Sequence, residues 1–383
     1  MDSALKEIVL VANSAWYLRN FRSSTIAALR QQGHGVRCLV PESGDVQSMQ
    51  ALSELGAQVE SFRLSTVSTS YVLEAIALLS LIRALCRRRP ALVFSFNPKS
   101  NLYVAIACQI LSIAYVPNIS GVGMTDELKG FKGRLYRLAM GIFLRKARWV
   151  FFQNVENMRT VIGRGWACAE RCTLLPGSGV ELERFSPPDP GAPVGAVTVF
   201  LMASRLLKQK GVGEYLAAAE CLSLEKGKGM RFLLAGEADD SGRCIEVERL
   251  EAFASNPDCE YLGQVEDMPA LLRRVDCVVL PSYYPEGIPR ILIEAIACGR
   301  PVITTEQPGC REVVEPGVNG YRVAPGSVEA LLEAMRAFLS LPMEQVAEMG
   351  VCSRRLAEAR FDVNKVIDHY LHAVERFADV GRR

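Results

Sequence analysis

The sequence predicts an α/β fold of two doubly wound, Rossmann-like domains that face a central cleft. At 383 residues the chain exceeds what one hydrophobic core usually supports, so two domains are the default expectation. Short, nearly continuous apolar runs alternate with amphipathic stretches, as in parallel sheets covered by helices on both faces. The proline-rich segment 186–196 cannot continue a helix or a central strand, and it therefore marks the linker.

The predicted strands fall into two groups, one on each side of this linker. In the first half they cover residues 7–13, 36–40, 91–95, 114–119 and 148–152. In the second half they cover residues 197–203, 232–236, 259–263, 277–281 and 301–305. We therefore expect an N-terminal domain at 1–188 and a C-terminal domain at 189–362, with a terminal helix at about 363–383 that packs back on the first domain. Ligands of such domains bind beyond the carboxyl ends of the strands.

The charge is nearly balanced over the whole chain but unevenly divided along it. Residues 1–190 carry 22 Lys and Arg against 14 Asp and Glu, whereas residues 191–383 carry 22 against 28. A basic first half is typical of a domain that meets an anionic partner. Within it, residues 128–149 carry seven Lys and Arg interleaved with Leu, Phe, Tyr and Ile. This stretch fits either a helix on an anionic bilayer surface or an ordinary surface helix with a solvated charged side.

Cysteine usage, the first residues and the apolar stretches indicate a cytoplasmic enzyme. The 12 cysteines are scattered without a C-x-x-C pair, so neither a zinc site nor a disulfide framework is expected. The first residues lack the basic start and cleavage site of a signal peptide. The apolar stretches 72–86 and 102–116 fall short of the roughly 20 residues of a membrane span. We interpret both as helices that cover a buried sheet.

Basic residues follow the first predicted strand after the linker, in the sequence SRLLKQKG. Arg205 comes directly after the strand, Lys208 and Lys210 lie on the following loop, and Gly211 precedes a helix. Cations at a strand end suit a diphosphate, because Arg offers a planar fork of donors and Lys a point charge. A solvated basic loop without a ligand is the alternative interpretation.

Two glutamates stand out in the sequence YYPEGIPRILIEAIACGRPVITT. Glu286 lies on a loop after a predicted strand, and Glu294 lies in the following helix, which begins near Pro289. Proline in a first helical turn leaves the other free N–H groups available at the cleft. A carboxylate among apolar neighbours needs a partner, and ribose hydroxyls would serve, with Glu286 reaching another part of the same ligand. The alternative is an ion pair of Glu294 with an arginine such as Arg300 or Arg311.

These two motifs, SRLLKQKG and EGIPRILIEAIACGRPVITT, resemble the retaining GT-B glycosyltransferases of family 4. The resemblance covers nearly the whole chain, including FLLAGE, YLGQVEDMPALL and GCREVVEPGVNGY. The E-G-x-P-R variant, WYLRNFR and NISGVG are similar to bacterial enzymes that extend undecaprenyl-diphosphate-linked sugars, including those that add an α-1,3-linked N-acetylgalactosamine. The resemblance implies a UDP-sugar donor, a lipid-linked sugar acceptor on the inner face of the cytoplasmic membrane, no resident cofactor and no nucleic-acid partner.

The resemblance also implies a role for each residue that matches a family motif. Arg205 and Lys210 match the pair that binds the donor diphosphate. Glu286 matches the carboxylate that faces the donor sugar, and Glu294 matches the ribose ligand. Residues 263–267 match the segment that brackets the uracil. The remaining donor-site residues, matched by their place in these motifs, are Gly263, Val265, Gly287, Ile288, Pro289 and Arg290.

The acceptor is assigned to Trp16, Asn20 and Arg22, which follow the first strand. Here the chain departs from the family, because NSAWYL replaces the Gly-Gly loop of many members. Many members also carry a histidine in the N-terminal cleft. The three histidines of this chain lie in a helix-to-strand turn and in the terminal helix: His34, His369 and His372. No histidine is expected to act as the base, which fits a mechanism in which the leaving phosphate oxygen takes the acceptor proton.

Other classes of protein fit the sequence less well. No D-x-D motif occurs at a strand end, so a metal-dependent diphosphate site is not expected. A nicotinamide dehydrogenase would carry G-x-G-x-x-G after a first strand, which neither half does. A UDP-sugar 2-epimerase shares the architecture and would isomerise its sugar without an acceptor. A non-catalytic UDP-sugar sensor is the binding-module alternative.

Overall fold

The computed structural model describes most of the chain, namely residues 6–42, 44–63, 71–121, 130–189, 197–225, 229–238, 243–284 and 287–378. The chain divides into two compact units, Met1–Gly179 with Val363–Arg383, and Val180–Asp362. The boundary predicted after residue 188 lies further along the chain. Val180 and Phe185 come before it but are buried in the core of the second unit, which is why residues 180–188 belong there. Most of the predicted linker, residues 190–196, lies outside the described residues.

The first unit contains a seven-stranded parallel sheet. Its strands are β1 (Glu7–Val11), β2 (Gly35–Pro41), β3 (Gln58–Phe62), β4 (Leu92–Phe96), β5 (Tyr115–Ile119), β6 (Val150–Phe152) and β7 (Cys172–Leu174). Their order across the sheet is β3-β2-β1-β4-β5-β6-β7. Because β1 pairs with both β2 and β4, the direction of strand succession reverses beside it. Such a reversal is where doubly wound sheets bind their ligands.

Helices cover both faces of this sheet. They are α1 (Ala15–Gln31), α2 (Val46–Glu54), α3 (Tyr71–Arg87), α4 (Pro98–Leu111), α5 (Gly130–Lys146), α6 (Val155–Gly163) and, from the far end of the chain, α13 (Val363–Phe377). Alternate strand residues contribute to two separate apolar cores. One core contains side chains of α1, α2 and α13, and the other contains side chains of α3, α4, α5 and α6.

Three features of this unit differ from the sequence-based expectation. β3 and β7 were not predicted, because both are edge strands with partly exposed residues and a weak apolar signal. No helix was predicted over residues 15–23, but α1 begins at Ala15, because the Ser14 side chain accepts a hydrogen bond from the Tyr17 N–H at 3.1 Å and caps the helix. The apolar stretch 102–116 spans α4 and the start of β5. None of the described helices combines the length and the apolar character needed to cross a bilayer.

The second unit repeats the same plan with six parallel strands. These are β8 (Thr198–Ala203), β9 (Met230–Ala235), β10 (Cys259–Gly263), β11 (Cys277–Leu280), β12 (Val302–Thr305) and β13 (Gly320–Val323). The order is β10-β9-β8-β11-β12-β13, so β8 occupies the switch position. The helices are α7 (Val212–Ser223), α8 (Val247–Ala254), α9 (Met268–Leu272), α10 (Arg290–Ala297), α11 (Val328–Leu339) and α12 (Met343–Leu356).

Tyr370 attaches the terminal helix α13 to the first unit. Its ring is fully buried and lies edge-on to Phe94 and Phe151, with ring centres 4.8 and 5.0 Å away. Its hydroxyl accepts a hydrogen bond from Asn118 Nδ2 at 2.8 Å, across 252 positions of sequence. Burial raises the pKa of Tyr370 to about 12, so the hydroxyl stays protonated at neutral pH.

Replacing Tyr370 by Phe should destabilise the first unit. The change removes the hydroxyl and leaves the buried Asn118 amide without its acceptor, which costs about 1–3 kcal/mol. Melting curves followed by circular dichroism should show a lower transition temperature. Tyr321→Phe, on β13 of the second unit, is the matched control and should melt close to the wild type. Equal transition temperatures for Tyr370→Phe and the wild type would show that this hydrogen bond contributes little.

Candidate functional site

The basic loop that follows β8 begins beside the end of β9. The Leu206 N–H donates to the Glu237 carbonyl at 3.0 Å, which holds the start of the loop against the segment after β9. Arg205 is exposed at this point, at the carboxyl end of a central strand. The structure therefore places Arg205 at the carboxyl edge of the second sheet, the position predicted for a strand-end cation.

Lys210, at the far end of the same loop, is enclosed instead. Its side chain is only 8% exposed, and its Nζ lies 5.3 Å from the ring centre of Tyr284, which follows β11. A lysine held over an aromatic face has its charge stabilised and its position restricted. Lys208, the other cation of the loop, forms an ion pair with Glu246. Of the two lysines, Lys210 is therefore the one that the fold holds in an enclosed position.

The loop closes against the end of β11 through its last residues. The Tyr283 N–H donates to the Gln209 carbonyl at 3.0 Å. Gly211 has φ 80°, and a Cβ at this position would lie 2.3 Å from the Pro281 carbonyl oxygen. Glycine alone accommodates both the backbone angle and the contact. Since β8 and β11 are adjacent, the basic loop and the segment after β11 form one continuous edge.

A second close approach joins the ends of β8, β9 and β10. Gly236 has φ 131°, and a Cβ there would lie 1.8 Å from the Ser204 carbonyl oxygen. The Gly236 N–H donates to the Gly263 carbonyl at 2.7 Å. Gly263 ends β10 with φ 61°, and Val265 beyond it is half-buried against the core. The residues predicted to bracket the uracil thus lie at the same edge as Arg205, two strands away.

Helix α10 begins directly after the loop predicted to face the sugar. Glu286 lies outside the described residues, but Gly287, Ile288 and Pro289 are described and lead into Arg290, the first residue of the helix. Pro289 is the N-cap, has an extended backbone and makes no side-chain capping bond. Pro289 therefore leaves the first helical N–H groups without a capping bond from its own side chain, and helix starts of this kind are common anion sites.

Glu294 lies one turn into α10 and forms an ion pair with Arg290. Its Oε1 is 2.6 Å from Arg290 Nε, and both side chains are mostly buried. The partner therefore differs from the arginines considered from the sequence. Arg300, for example, donates to the Arg273 carbonyl at 3.1 Å. Burial raises the pKa of Glu294, and the charge of Arg290 partly opposes that rise.

Buried amide side chains line the carboxyl edge of the first sheet, at the ends of β4, β5 and β6. Asn101 Nδ2 donates to the Asn118 carbonyl at 2.9 Å, and Gln153 Nε2 donates to Asn118 Oδ1 at 3.2 Å. Asn97, directly after β4, has the left-handed φ of 72°. Strained backbone at a strand end is typical of ligand sites. Sequence reasoning missed this edge, although the Asn-Pro turn after a strand was a visible signal.

The three predicted acceptor residues lie on α1 rather than on a loop. Trp16 is exposed and packs edge-on against Phe21, with ring centres 5.5 Å apart. Asn20 is half-buried, and its Nδ2 donates to the Trp16 carbonyl at 3.0 Å. Both lie in the first turns of the helix that follows β1, and therefore near the carboxyl edge of the first sheet.

Arg22 does not share this surface position. It is 1% exposed, because it lies on the stripe of α1 that packs on the sheet. Its guanidinium carbon lies 4.7 Å from the ring centre of Phe96, 5.6 Å from that of Tyr370 and 6.0 Å from that of Tyr17. The Nη2 atom donates to the Tyr17 hydroxyl at 3.5 Å. Arg22 therefore connects α1 to β4 and α13, and it does not present its charge to solvent.

Among the described residues, the three histidines lie away from the carboxyl edges of the strands or on α13, and no cluster of metal-binding side chains is present. His34 precedes β2 and so lies at the amino edge of the first sheet, where burial lowers its pKa. His369 and His372 are on α13. In the part of the chain that the structure describes, no group of three or more His, Cys, Asp or Glu could hold a metal ion.

Both halves of the chain match glycosyltransferase family models. Residues 19–177 match the glycosyl transferase 4-like domain, and residues 197–340 match the glycosyl transferases group 1 family. These matches, each centred on one doubly wound sheet, show that the chain belongs to the glycosyltransferases of the GT-B fold.

Individual relatives agree with this assignment. The chain is 25% identical, over 93% of its length and 95% of the relative's, to the N,N'-diacetylbacillosaminyl-diphospho-undecaprenol alpha-1,3-N-acetylgalactosaminyltransferase of Campylobacter jejuni. It shares the fold of Anabaena Alr3699/HepE, solved in complex with UDP and glucose, with a TM-score of 0.78 and 18% identity over 97% of this chain and 100% of that one. It also matches a glycosyltransferase from Rickettsia africae, with a TM-score of 0.78 and 16% identity over 98% and 99% of the two chains.

Replacing Gly211 by Ala should destabilise the second unit, since the new methyl group would meet the Pro281 carbonyl at a backbone angle that alanine avoids. We expect a loss of at least about 1 kcal/mol, measured as a lower melting temperature. Gly213→Ala, in the first turn of α7, is the control. There the new methyl group meets only the flexible end of Arg249, so the melting temperature should hold or rise. A Gly211→Ala variant as stable as the wild type would contradict the close approach.

Proposed function

We propose that this glycosyltransferase moves a sugar from a UDP-sugar to a polyprenyl-diphosphate-linked sugar, with retention of configuration, in the assembly of a bacterial surface glycan or glycoprotein glycan. An N-acetylhexosamine such as N-acetylgalactosamine is the proposed sugar. The proposal rests on the carboxyl edge of the second sheet, because the basic loop, the segment after β11 and the end of β10 all lie at this edge. The similarity to the Campylobacter transferase over nearly the whole chain supports the acceptor class.

The donor diphosphate is assigned to Arg205 and Lys210. Arg205 is exposed at the strand end, so its fork can turn toward two phosphate oxygens. Lys210 is enclosed beside Tyr284, so its ammonium supplies a nearly fixed positive charge. Both charges stabilise the diphosphate as it leaves. Because these cations and the start of α10 supply the positive charge, we propose that the reaction needs no metal ion.

The nucleoside is assigned to α10 and β10. Glu294 accepts hydrogen bonds from the ribose hydroxyls, and Arg290 holds the carboxylate in place through the 2.6 Å ion pair. The uracil lies against Gly263 and Val265. Because Gly263 carries no side chain and has a left-handed backbone, the ring can approach the main chain closely there.

The transferred sugar is assigned to Glu286 and to the backbone N–H groups of Gly287 and Ile288, ahead of Pro289. The bond between the anomeric carbon and the β-phosphate oxygen breaks, and the acceptor hydroxyl oxygen forms its bond on the same face. The acceptor proton passes to the departing phosphate oxygen. This proton transfer needs no basic side chain of the protein, which agrees with the position of His34 at the amino edge of its sheet.

The acceptor is assigned to the first unit, at the edge formed by the first turns of α1 and the ends of β4 to β6. Trp16 offers an exposed ring for a sugar face, and Asn20 offers an amide beside it. Arg22, enclosed among its rings, has a supporting role and holds α1 in position. The lipid carrier places the enzyme on the inner face of the cytoplasmic membrane as a peripheral protein.

The assay that tests this function measures UDP release. UDP-sugars are screened with extracted lipid-linked saccharides, and we expect release that depends on the acceptor and persists in EDTA. Arg205→Ala and Lys210→Ala should each lower the rate by about 10²–10³, since each removes a charge that stabilises the leaving group. Loss of activity in EDTA, restored by Mg²⁺, would contradict the metal-free mechanism. Isomerisation of the UDP-sugar without acceptor would instead identify an epimerase.

The two glutamates should separate in their effects. Glu294→Gln should lower the affinity for UDP itself. Glu286→Gln should leave UDP binding nearly intact and lower kcat and kcat/KM together. Because burial raises the pKa of Glu294, wild-type UDP affinity should also fall as the pH drops through that raised value, and Glu294→Gln should lose this dependence. Calorimetric titration with UDP measures both effects. Unchanged UDP affinity in Glu294→Gln, with a lower melting temperature, would mean that the carboxylate serves only its ion pair.

A further inference from the structure

An exposed apolar surface lies on two helices of the first unit. We define the apolar stripe as six large side chains that α3 and α5 expose: Val72, Ile76, Leu79, Leu135, Leu138 and Ile142. Val72 is 68% exposed and Leu138 is 62% exposed. Large apolar side chains exposed to this degree, and repeated along one face of two helices, mark interaction surfaces rather than ordinary solvent-facing helices.

The stripe is regular along both helices. Its members are three or four positions apart, so they share one face of α3 and one face of α5. The opposite faces of these helices are also apolar and belong to the core of the first unit, through residues such as Leu81 on α3 and Leu144 on α5. Packing against the sheet therefore explains the apolar side chains on the inner faces of α3 and α5. The apolar side chains on their outer faces need a separate explanation.

The position of the stripe relates it to the acceptor edge. α4 packs between α3 and α5, so the three helices form one layer. Each helix follows a strand and runs back across the sheet, so its first half lies near the carboxyl edge. Five members of the stripe lie in the first halves of α3 and α5, and Ile142 lies one turn further along α5. An ion pair of 2.7 Å between Glu74 and Lys99 joins the starts of α3 and α4 at that edge.

The charge around the stripe has one sign. The sequence of α5, GFKGRLYRLAMGIFLRK, holds five Lys and Arg and no acidic residue. Arg134 is exposed next to Leu135, and Arg145 and Lys146 are exposed in the last turn of the helix. The acidic residue of α3, Glu74, is neutralised by its pair with Lys99. Apolar side chains interleaved with cations complement a lipid surface that carries negative headgroups.

We propose that the apolar stripe and the basic residues of α5 form the surface by which the first unit docks on a bilayer of anionic phospholipid. The apolar side chains enter the boundary between headgroups and acyl chains, and the arginines and lysines stay at headgroup level. The inference rests on the proposed function in one respect, namely that a lipid-linked acceptor is found in such a bilayer. Docking here brings the carboxyl edge of the first sheet close to the membrane plane.

Vesicle sedimentation with two matched triple variants tests the docking surface. The stripe variant is Leu135→Glu/Leu138→Glu/Ile142→Glu. The control variant, Leu224→Glu/Met343→Glu/Val351→Glu, makes the same change at exposed apolar positions of the second unit. With vesicles containing about one third phosphatidylglycerol, the stripe variant should bind at least about tenfold more weakly than the wild type, and the control should match the wild type.

The charge contribution is tested with Arg134→Gln/Lys146→Gln. Affinity for the anionic vesicles should fall by about fivefold for each charge removed, and the wild type should lose affinity as salt screens these charges. Wild-type binding that is equal for anionic and pure phosphatidylcholine vesicles would overturn the electrostatic part. Equal binding of the stripe variant and the wild type would overturn the docking surface.

Two further measurements keep the outcomes separate. Light scattering reports the oligomeric state without lipid. If the wild type is a dimer that binds no vesicles and the stripe variant is a monomer, the stripe serves self-association instead. UDP affinity, measured by calorimetry, should be the same in all variants. Absence of UDP binding by the wild type would count against the proposed function and would leave the vesicle result to decide the docking surface independently.

Discussion

The carboxyl edge of the second sheet depends on two places where backbone meets backbone with no room for a side chain. At Gly236 a Cβ would lie 1.8 Å from the Ser204 carbonyl, and at Gly211 it would lie 2.3 Å from the Pro281 carbonyl. These approaches bring the ends of neighbouring strands together and set where the basic loop begins and ends. A methyl group at either place would displace the main chain, because packed interiors have no spare volume to absorb it. The positions of the proposed diphosphate ligands follow from these two contacts.

Three buried charges are held in three different ways. Glu294 has an arginine one turn away, whose charge partly opposes the rise in pKa that burial causes. Lys210 lies over the ring of Tyr284. Arg22 lies among three aromatic rings and donates to a tyrosine hydroxyl. A carboxylate partner neutralises a charge, whereas an aromatic ring stabilises it without neutralising it. The ring of Tyr284 restricts the position of the lysine assigned to the diphosphate without removing its charge.

The sequence was sufficient for the class of fold and for the strand-end motifs, because central parallel strands read as unbroken apolar runs. It was insufficient where burial is partial, as in the edge strands β3 and β7. The sequence was also insufficient to show that Arg22 is buried whereas Trp16 and Asn20 on the same helix are not. Trp16, Asn20 and Arg22 form one motif in the sequence. The helical periodicity of α1, however, turns Arg22 toward the sheet, where it contacts Tyr370, a residue far away along the chain. Contacts over such separations leave no local pattern to detect.

The return of the chain to its first unit has a consequence for synthesis on the ribosome. Chains emerge N-terminus first, and domains generally fold as they emerge. Here the first 179 residues lack α13, which contributes Tyr370 to one of their two cores. The second unit, being continuous from Val180 to Asp362, has all its residues before the first unit does. The first unit thus stays with one face of its sheet incompletely covered until α13 emerges, and the unit that is made first is the one that can be completed last.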